Sequence, residues 1–88
     1  MYYVYVLQSL RDKKLYIGCT NNLKARFDLH NQGKIESTKN RKPFKLIYYE
    51  ALLNKQDAFA REQGLKTGWG KRQLLIVLKN YLASEGKN

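Results

Sequence analysis

The chain has 88 residues and a formal net charge of +10, from 17 lysines and arginines against 7 aspartates and glutamates. That length allows one small domain, and 43% hydrophobic residues with 12% aromatic residues exclude a disordered basic tail. One cysteine and one histidine exclude a disulfide framework and argue against a structural zinc site, and we expect neither a membrane helix nor a signal peptide. The composition therefore predicts a cytoplasmic protein of one domain, residues 1–83, with a short tail at residues 84–88.

The first half of the chain predicts a β-hairpin followed by a helix. Two strands are expected at Tyr2–Leu7 and Lys14–Gly18, because both segments are rich in aromatic and β-branched residues and the segment between them is polar. Polar residues at 20–22 are candidate N-caps for a helix over Leu23–His30. Gly33 follows this helix at the position of a C-terminal cap.

The second half predicts a third strand and two more helices. The strand is expected at Phe44–Glu50, after a polar and basic loop. The segment Asn54 to Asp57 resembles a capping box that opens a helix from Lys55 to about Lys66. Gly68-Trp69-Gly70 is expected to interrupt the helical segment, and a final helix is expected from Lys71 to about Ala83. The buried face of that helix is expected to hold Leu74, Leu75, Leu78, Tyr81 and Leu82. The predicted order is ββαβαα, an α+β fold.

The charge predicts a polyanionic partner, of which nucleic acid is the first candidate and an anionic membrane surface the second. The densest basic segment runs from Lys34 to Lys45, and a second group lies between Arg61 and Arg72. Charges on a protein of this size also serve solubility. The partner must therefore be identified from the side chains that lie among these charges.

Tyr5 and Tyr16 are the first candidate pair. With the hairpin loop centred between residues 10 and 11, antiparallel pairing places Tyr5 opposite Tyr16. The same register places Tyr3 opposite Gly18. Two phenols would then lie side by side on one face of the sheet. Ordinary packing explains the same pair, because strands are enriched in tyrosine.

Three further side chains could take part in chemistry. Arg26 and His30 lie four residues apart on one helix face, where a guanidinium and an imidazole could clamp a phosphate and carry a proton. They are also consistent with two exposed residues on a solvated flank. Glu62 lies near the apolar face of its helix, where a carboxylate needs an ion pair, with Lys66 or Arg26, or a hard divalent cation such as Mg²⁺.

In chain order these residues form a recognisable pattern. Between about Tyr2 and Leu75 the chain resembles the GIY-YIG nuclease superfamily in four successive segments: Tyr3-Val4-Tyr5, Tyr16-Ile17-Gly18, Arg26-x3-His30 and Glu62. The segment Lys66-Thr67-Gly68-Trp69 is similar to the Lys-x-Gly-Trp segment of the small, single-domain UPF0213 group, which is related to the nuclease domain of the excinuclease C subunit. The predicted element order also matches that superfamily's three-stranded antiparallel sheet with flanking helices.

The resemblance implies a divalent-metal-dependent DNA endonuclease that leaves 5′-phosphate and 3′-hydroxyl ends, in DNA repair or processing. It implies that Tyr5 or Tyr16 helps to activate water. It also implies that Arg26 stabilises charge on the phosphate, that His30 assists proton transfer and that Glu62 holds a single Mg²⁺ or Mn²⁺ ion. The remaining residues expected to contact DNA are Gly18, Lys24, Lys39, Arg41, Lys42 and Lys66.

The pattern departs from the family at some points, and other functions stay open. The first motif lacks a leading glycine, and Asn80 is the one candidate for a late active-site asparagine. A non-catalytic nucleic-acid-binding module on the same scaffold would also explain the basic loop, and a protein-interaction adaptor could use the final helix. Cys19 is expected to be a small buried residue rather than a nucleophile, and Trp69 to cap the core rather than to stack on a base.

Overall fold

The computed structural model describes residues 1–85, which form three strands and four helices. In chain order the elements are β1 Tyr2–Ser9, β2 Leu15–Thr20, α1 Leu23–Asn31, β3 Phe44–Leu52, α2 Lys55–Leu65, α3 Gly68–Val77 and α4 Lys79–Glu85. A short 3₁₀ turn, Lys39–Arg41, precedes β3. The strands form one antiparallel sheet in the order β2-β1-β3, which confirms the predicted α+β class and sheet. Residues 84 and 85 of the predicted tail belong to α4, and residues 86–88 lie outside the described residues.

The register of the first hairpin differs from the predicted one. Tyr5 faces Gly18, and Leu7 faces Tyr16, so the predicted pairing of Tyr5 with Tyr16 is wrong. The strands are displaced by an even number of residues, and each side chain therefore keeps its face of the sheet. The two tyrosines still share one face, as diagonal neighbours instead of direct partners.

The cause of the different register is the hairpin turn. Ser9 N–H donates to the carbonyl of Lys14, and Lys13 N–H donates to the carbonyl of Ser9, which closes the loop at residues 10–13. Lys13 adopts the left-handed region at φ 65°. The Ser9 hydroxyl oxygen accepts from the backbone N–H groups of Arg11 and Asp12. These contacts centre the loop one residue later than the composition of the segment predicts.

The sheet lies between two helical layers. On one face, Val4 and Val6 of β1 pack in a buried cluster with residues of α2 and α3. On the other face, Tyr5 and Leu7 of β1 pack with Phe44 and with side chains of α1. The central strand is therefore buried on both of its faces, which explains its nearly continuous apolar sequence. No helix within residues 1–85 is long and apolar enough to span a membrane.

The helical segment is interrupted at residues 66–67, and Gly68-Trp69-Gly70 forms the first turn of α3 instead of the predicted break. The Thr67 hydroxyl oxygen caps this helix by accepting from the N–H of Gly70 at 3.1 Å. Gly70 lies so close to the carbonyl of Gly64 on α2 that any side chain there would overlap it. Trp69 is 67% exposed, so the expectation that it caps the core is wrong.

The single helix expected over residues 71–83 is divided into α3 and α4. The two helices meet at Leu78, whose backbone leaves helical geometry at φ −100° and ψ 14°. The element order is therefore ββαβααα. Of the five side chains predicted to be buried here, all but Leu75 are at least partly buried. Adjacent helical residues point about 100° apart, so a helix that buries Leu74 turns Leu75 towards solvent.

Candidate active site

Gly18 allows the side chain of Tyr5 to lie across β2. The two residues are direct partners in the pairing of β1 with β2. A Cβ atom on residue 18 would overlap the hydroxyl and ring of Tyr5, so only glycine leaves room for this phenol. Because Tyr5 is 1% exposed, its hydroxyl is held inside the protein.

His30 is fully buried next to Tyr5. Its Nε2 lies 2.9 Å from the Tyr5 hydroxyl and its Nδ1 lies 2.8 Å from Oγ1 of Thr38, so both ring nitrogens are engaged. Burial, together with the positive charge of Arg26, lowers the pKa of His30 to about 4. The imidazole is therefore neutral near pH 7, and the alternative of an exposed histidine on a solvated flank is wrong.

Tyr16 completes an aromatic cluster around His30. The centroids of these two rings lie 5.1 Å apart, and the ring of Phe44 packs against the imidazole at 5.8 Å. The rings of Tyr5 and Tyr16 are 6.4 Å apart. The structure thus brings together the two tyrosines and the histidine that the sequence singled out, and of the two phenols Tyr16 is the more exposed.

The pKa of Tyr5 reflects its neighbours. Burial raises the pKa of this phenol to about 12, and the adjacent Arg26 guanidinium opposes the shift. Tyr16 and the negative charge of Glu62 add to the increase. Tyr5 is therefore a neutral hydroxyl near pH 7, and the other groups lie within electrostatic reach of it.

Arg26 brings an unsatisfied donor to the cluster. Its Nε is buried and, within residues 1–85, has no hydrogen-bond partner. Buried polar groups in folded proteins nearly always have a partner. This N–H is therefore suited to an acceptor from outside the chain, and an anionic oxygen such as that of a phosphate is the strongest kind.

Glu62 is buried on α2 and forms an ion pair with Lys66. Its Oε2 lies 2.7 Å from Nζ of Lys66, and its side chain is 11% exposed. Of the two cationic partners that the sequence allowed, the structure pairs Glu62 with Lys66 and not with Arg26. The carboxylate borders an open cleft that also contacts Cys19 and Thr20, at the free edge of the sheet.

The single carboxylate of Glu62 suits a divalent ion that keeps most of its bound water molecules. Among the described residues, no three His, Cys, Asp or Glu side chains surround a common point. One carboxylate with several waters is an ordinary arrangement for Mg²⁺, which dehydrates reluctantly. Glu62 could bind such an ion from the open cleft if Lys66 moved aside.

A groove with a basic rim, lined in part by Tyr16, follows the free edge of β2. Three lysines line it, Lys14, Lys66 and Lys71, with an apolar floor that includes Leu74. Lys14 and Lys71 were not among the predicted DNA contacts. They become neighbours only because α2 and α3 pack beside the edge strand.

The predicted DNA contacts other than Gly18 and Lys66 lie on exposed or peripheral segments. Lys24 pairs with Asp28 on α1 at 3.2 Å, and Lys39 pairs with Glu36 at 3.1 Å. Lys42 is exposed beyond the 3₁₀ turn. Surface pairs of this kind contribute little, so these ammonium groups can exchange their partners for phosphate.

Arg41 has a structural role in the described contacts. Its Nε donates to Oδ2 of Asp12 at 2.8 Å, and its guanidinium lies 5.7 Å from the ring centroid of Phe44. The Ser9 hydroxyl donates to its carbonyl at 2.6 Å. The Arg41 guanidinium lowers the pKa of Asp12 to about 2. Arg41 therefore holds the loop before β3 against the hairpin turn.

Two residues that lie next to the candidate site were not predicted from the sequence. Thr38 is fully buried and hydrogen-bonded to His30, but a threonine in a polar loop carries no signal of such a contact. Tyr49 faces Tyr5 across the sheet. Plain alternation from Phe44 would place Tyr49 on the opposite face of the sheet, and a bulge in β3 opposite Val6 and Leu7 brings it to the face of Tyr5.

This sheet, with a tyrosine, arginine, histidine and glutamate set in this order, matches a known class of nuclease-type domain. A family model described as the GIY-YIG catalytic domain matches residues 1–73. The chain therefore belongs to the GIY-YIG family.

Within that family its relatives are UPF0213 proteins. The chain is 37% identical to one from Clostridium perfringens, over 97% of this chain and 91% of the relative. It is 40% identical to one from Lactococcus lactis, over 96% of this chain and 81% of the relative. The solution NMR structure of a UPF0213 protein from Bacillus halodurans is similar with a TM-score of 0.54 and 32% identity, covering 88% of this chain and 85% of that one.

Proposed function

We propose that this protein is a divalent-metal-dependent DNA endonuclease that hydrolyses phosphodiester bonds to 5′-phosphate and 3′-hydroxyl ends in DNA repair or processing. The observation that carries the proposal is the buried Nε of Arg26, which lies beside Tyr5 and has no hydrogen-bond partner among the described residues. Membership of the GIY-YIG family supports the reaction class, and the net charge of +10 supports a polyanionic substrate. The cytoplasmic location stays a prediction.

Arg26 binds the scissile phosphate in this proposal. Its Nε–H and terminal N–H groups form a fixed fork that matches two phosphate oxygens. In the low-dielectric surroundings of the aromatic cluster, such a charge-assisted bond strengthens as negative charge develops on the phosphate during attack. The unsatisfied Nε supports this role because the described residues supply no acceptor for it.

The two tyrosines have different roles in this proposal. Tyr5 is enclosed, its hydroxyl is held by His30 and its pKa is about 12, so it is a poor acceptor of a proton from water near pH 7. Tyr16 is partly exposed and lines the groove with the basic rim. We assign the contact with the attacking water to Tyr16, and the positioning of Arg26 to Tyr5.

His30 is a positioning residue in this proposal. Its imidazole lies between Tyr5 and Thr38, out of reach of a substrate at the surface. By engaging both neighbours, the neutral ring fixes the orientation of the Tyr5 hydroxyl and joins α1 to the loop that holds Thr38. A direct proton transfer from His30 to the leaving group is not part of the proposal.

Glu62 is the residue that would hold Mg²⁺ or Mn²⁺. When bound, such an ion lowers the pKa of water and offsets negative charge on the phosphate. We also propose that Lys24, Lys39, Lys42 and Lys66 contact other phosphates. Gly18 is buried under the Tyr5 phenol, so its part in the proposal is to make room for that side chain and not to contact the substrate.

The proposal is tested by incubating the purified protein with labelled single-stranded, duplex and branched DNA, with Mg²⁺, with Mn²⁺ and with EDTA. Cleavage in the presence of either ion is expected, and Arg26→Ala and Glu62→Ala should abolish it. Matched controls are Arg72→Ala and Glu36→Ala, which remove the same charges from exposed positions. Cleavage that persists in the Glu62→Ala protein would show a contaminating nuclease and contradict the assignment.

The second candidate is a nucleic-acid-binding module without catalysis. The observation that favours it is the ion pair between Glu62 and Lys66, which satisfies the carboxylate without a metal. This candidate predicts salt-dependent DNA binding, no product with any metal or DNA structure, and no effect of Glu62→Ala on affinity beyond the change in net charge.

A further inference from the structure

A second pair of tyrosines continues the candidate active site on the same face of the sheet. Tyr49 of β3 is the direct strand partner of Tyr5, and Tyr3 lies two residues before Tyr5 on β1. The rings of Tyr3 and Tyr49 meet edge to face with centroids 6.1 Å apart. Because alternate residues of a strand share a face, this pair is the immediate neighbour of the cluster around Tyr5.

The pair borders an open groove between the sheet and the first turn of α1. Its other lining residues are Asn21, Asn22, Leu23, Lys24, Phe27 and Leu46. Tyr49 is 54% exposed, whereas Phe44, at the other end of the same strand face, is 3% exposed. The helix therefore covers one end of this sheet face and leaves an aromatic surface at the end that adjoins Tyr5.

We propose that this groove, lined by Tyr3 and Tyr49, binds an unpaired nucleobase of a single DNA strand whose scissile phosphate lies at Arg26. An exposed tyrosine ring next to a second ring offers the flat, polarisable surface on which bases of any sequence stack. The identity of the bound strand rests on the proposed function, whereas the stacking surface rests on the groove itself.

Charge at the rim supports a nucleotide over an uncharged aromatic ligand. Lys24 lines the groove, and its ion pair with Asp28 is exposed, so a phosphate can replace the carboxylate at little cost. The base beside a bound phosphate is stacked inside a duplex but accessible in a single strand. The groove therefore selects for single-stranded DNA, including the unpaired parts of branched DNA.

Binding is measured by fluorescence anisotropy of the full chain with a labelled oligothymidine, in EDTA so that no cleavage occurs. Tyr49→Ala is expected to weaken single-strand binding about 10-fold, and Tyr49→Phe, which keeps the ring, by less than about twofold. An oligonucleotide of the same length with abasic residues keeps the phosphates and removes the bases. Its affinity should be the same, within about twofold, for the Tyr49→Ala and unchanged proteins.

The matched control is Trp69→Ala, because Trp69 is a similarly exposed aromatic residue on α3. It should leave single-strand affinity within about twofold of the unchanged protein. Circular dichroism melting of each variant verifies that it is folded. An equal loss in Tyr49→Ala and Trp69→Ala, or an equal loss for the normal and abasic oligonucleotides, would overturn the stacking site.

Failure of this inference is distinguishable from failure of the proposed function. Metal-dependent cleavage without any Tyr49 dependence of binding removes the stacking site and leaves the endonuclease. Binding that depends on Tyr49, without cleavage under any condition, removes the endonuclease and supports a single-strand-binding groove.

Discussion

Gly18 and Tyr5 are direct strand partners, and the absence of a side chain on Gly18 is what allows the phenol of Tyr5 to cross β2. The hydroxyl then reaches Nε2 of His30. One glycine on the edge strand therefore sets the position of a tyrosine on the central strand and a histidine on α1.

Gly18→Ala should destabilise the protein by about 1–3 kcal/mol, because the added methyl group overlaps a buried ring that has no other place to go. Urea denaturation of the two proteins measures the difference in free energy of unfolding. The matched control is Gly64→Ala, whose methyl group meets no atom within 4 Å and which lies within α2. It should leave stability unchanged or raise it by up to about 1 kcal/mol. Equal effects of the two substitutions would contradict the close approach of Tyr5 to Gly18.

His30 should make stability depend on pH below 7. Its pKa is about 4 in the folded protein and near 6.5 in an unfolded chain, so the unfolded state binds the proton first as pH falls. Stability is then fully present above pH 6.5 and is lost towards pH 4. Between pH 7 and pH 5 the loss should be about 2 kcal/mol by urea denaturation. No other imidazole exists in the chain, so His30→Gln should remove this dependence. A slope that persists in the variant would assign it to other groups.

Removal of the hydroxyl group should mainly affect stability at Tyr5 and mainly affect activity at Tyr16. Tyr5→Phe leaves a ring nitrogen of His30 without its partner and should cost about 1–2 kcal/mol in unfolding free energy. Tyr16→Phe should cost less than about 0.5 kcal/mol, since this hydroxyl lies near the surface, and should reduce the rate of DNA cleavage at least about 100-fold. Denaturation and single-turnover kinetics on the same samples give both values. The reverse ranking would transfer the role of water activation to Tyr5.

Lys66 should compete with a divalent ion for Glu62. Lys66→Ala removes the ammonium group that lies 2.7 Å from the carboxylate and should tighten Mn²⁺ binding about threefold in a calorimetric titration without DNA. Lys39→Ala is the matched control, because it removes a lysine from the ion pair with Glu36. Weaker Mn²⁺ binding in Lys66→Ala would exclude Glu62 as the ligand that Lys66 covers.

The tyrosine face of the sheet could be predicted from the sequence, but the pairing could not. Strand residues alternate between faces, and the observed register differs from the predicted one by an even number of residues. Tyr5 and Tyr16 therefore remain on a common face even though their predicted alignment is wrong. The alignment depends on the turn, where Ser9 accepts two backbone N–H bonds and Lys13 takes a positive φ. Neither a serine nor a lysine at these positions is enough to predict this turn geometry.

The burial of His30 could not be predicted from the sequence either, because it depends on a contact between distant segments. The spacing from Arg26 predicts a shared helix face, which the structure contains. Whether that face is exposed depends on the loop that brings Thr38 over it, and that contact joins residues with no common periodic pattern. The exposure of Trp69 likewise depends on packing, because the neighbouring Gly70 lies directly against α2.

The sequence by itself determined the α+β class, the three strands, the basic charge and the ordered set of Tyr5, Tyr16, Arg26, His30 and Glu62, because hydrophobic periodicity and residue spacing are local properties. Only the tertiary structure decided which of these groups meet and in what state. It buries His30 as a neutral ring, leaves Nε of Arg26 without an acceptor in residues 1–85 and exposes Tyr49 beside Tyr5. Burial and pairing arise between elements distant in the chain, and a two-residue change of register, set by one turn, changes every strand partner between β1 and β2.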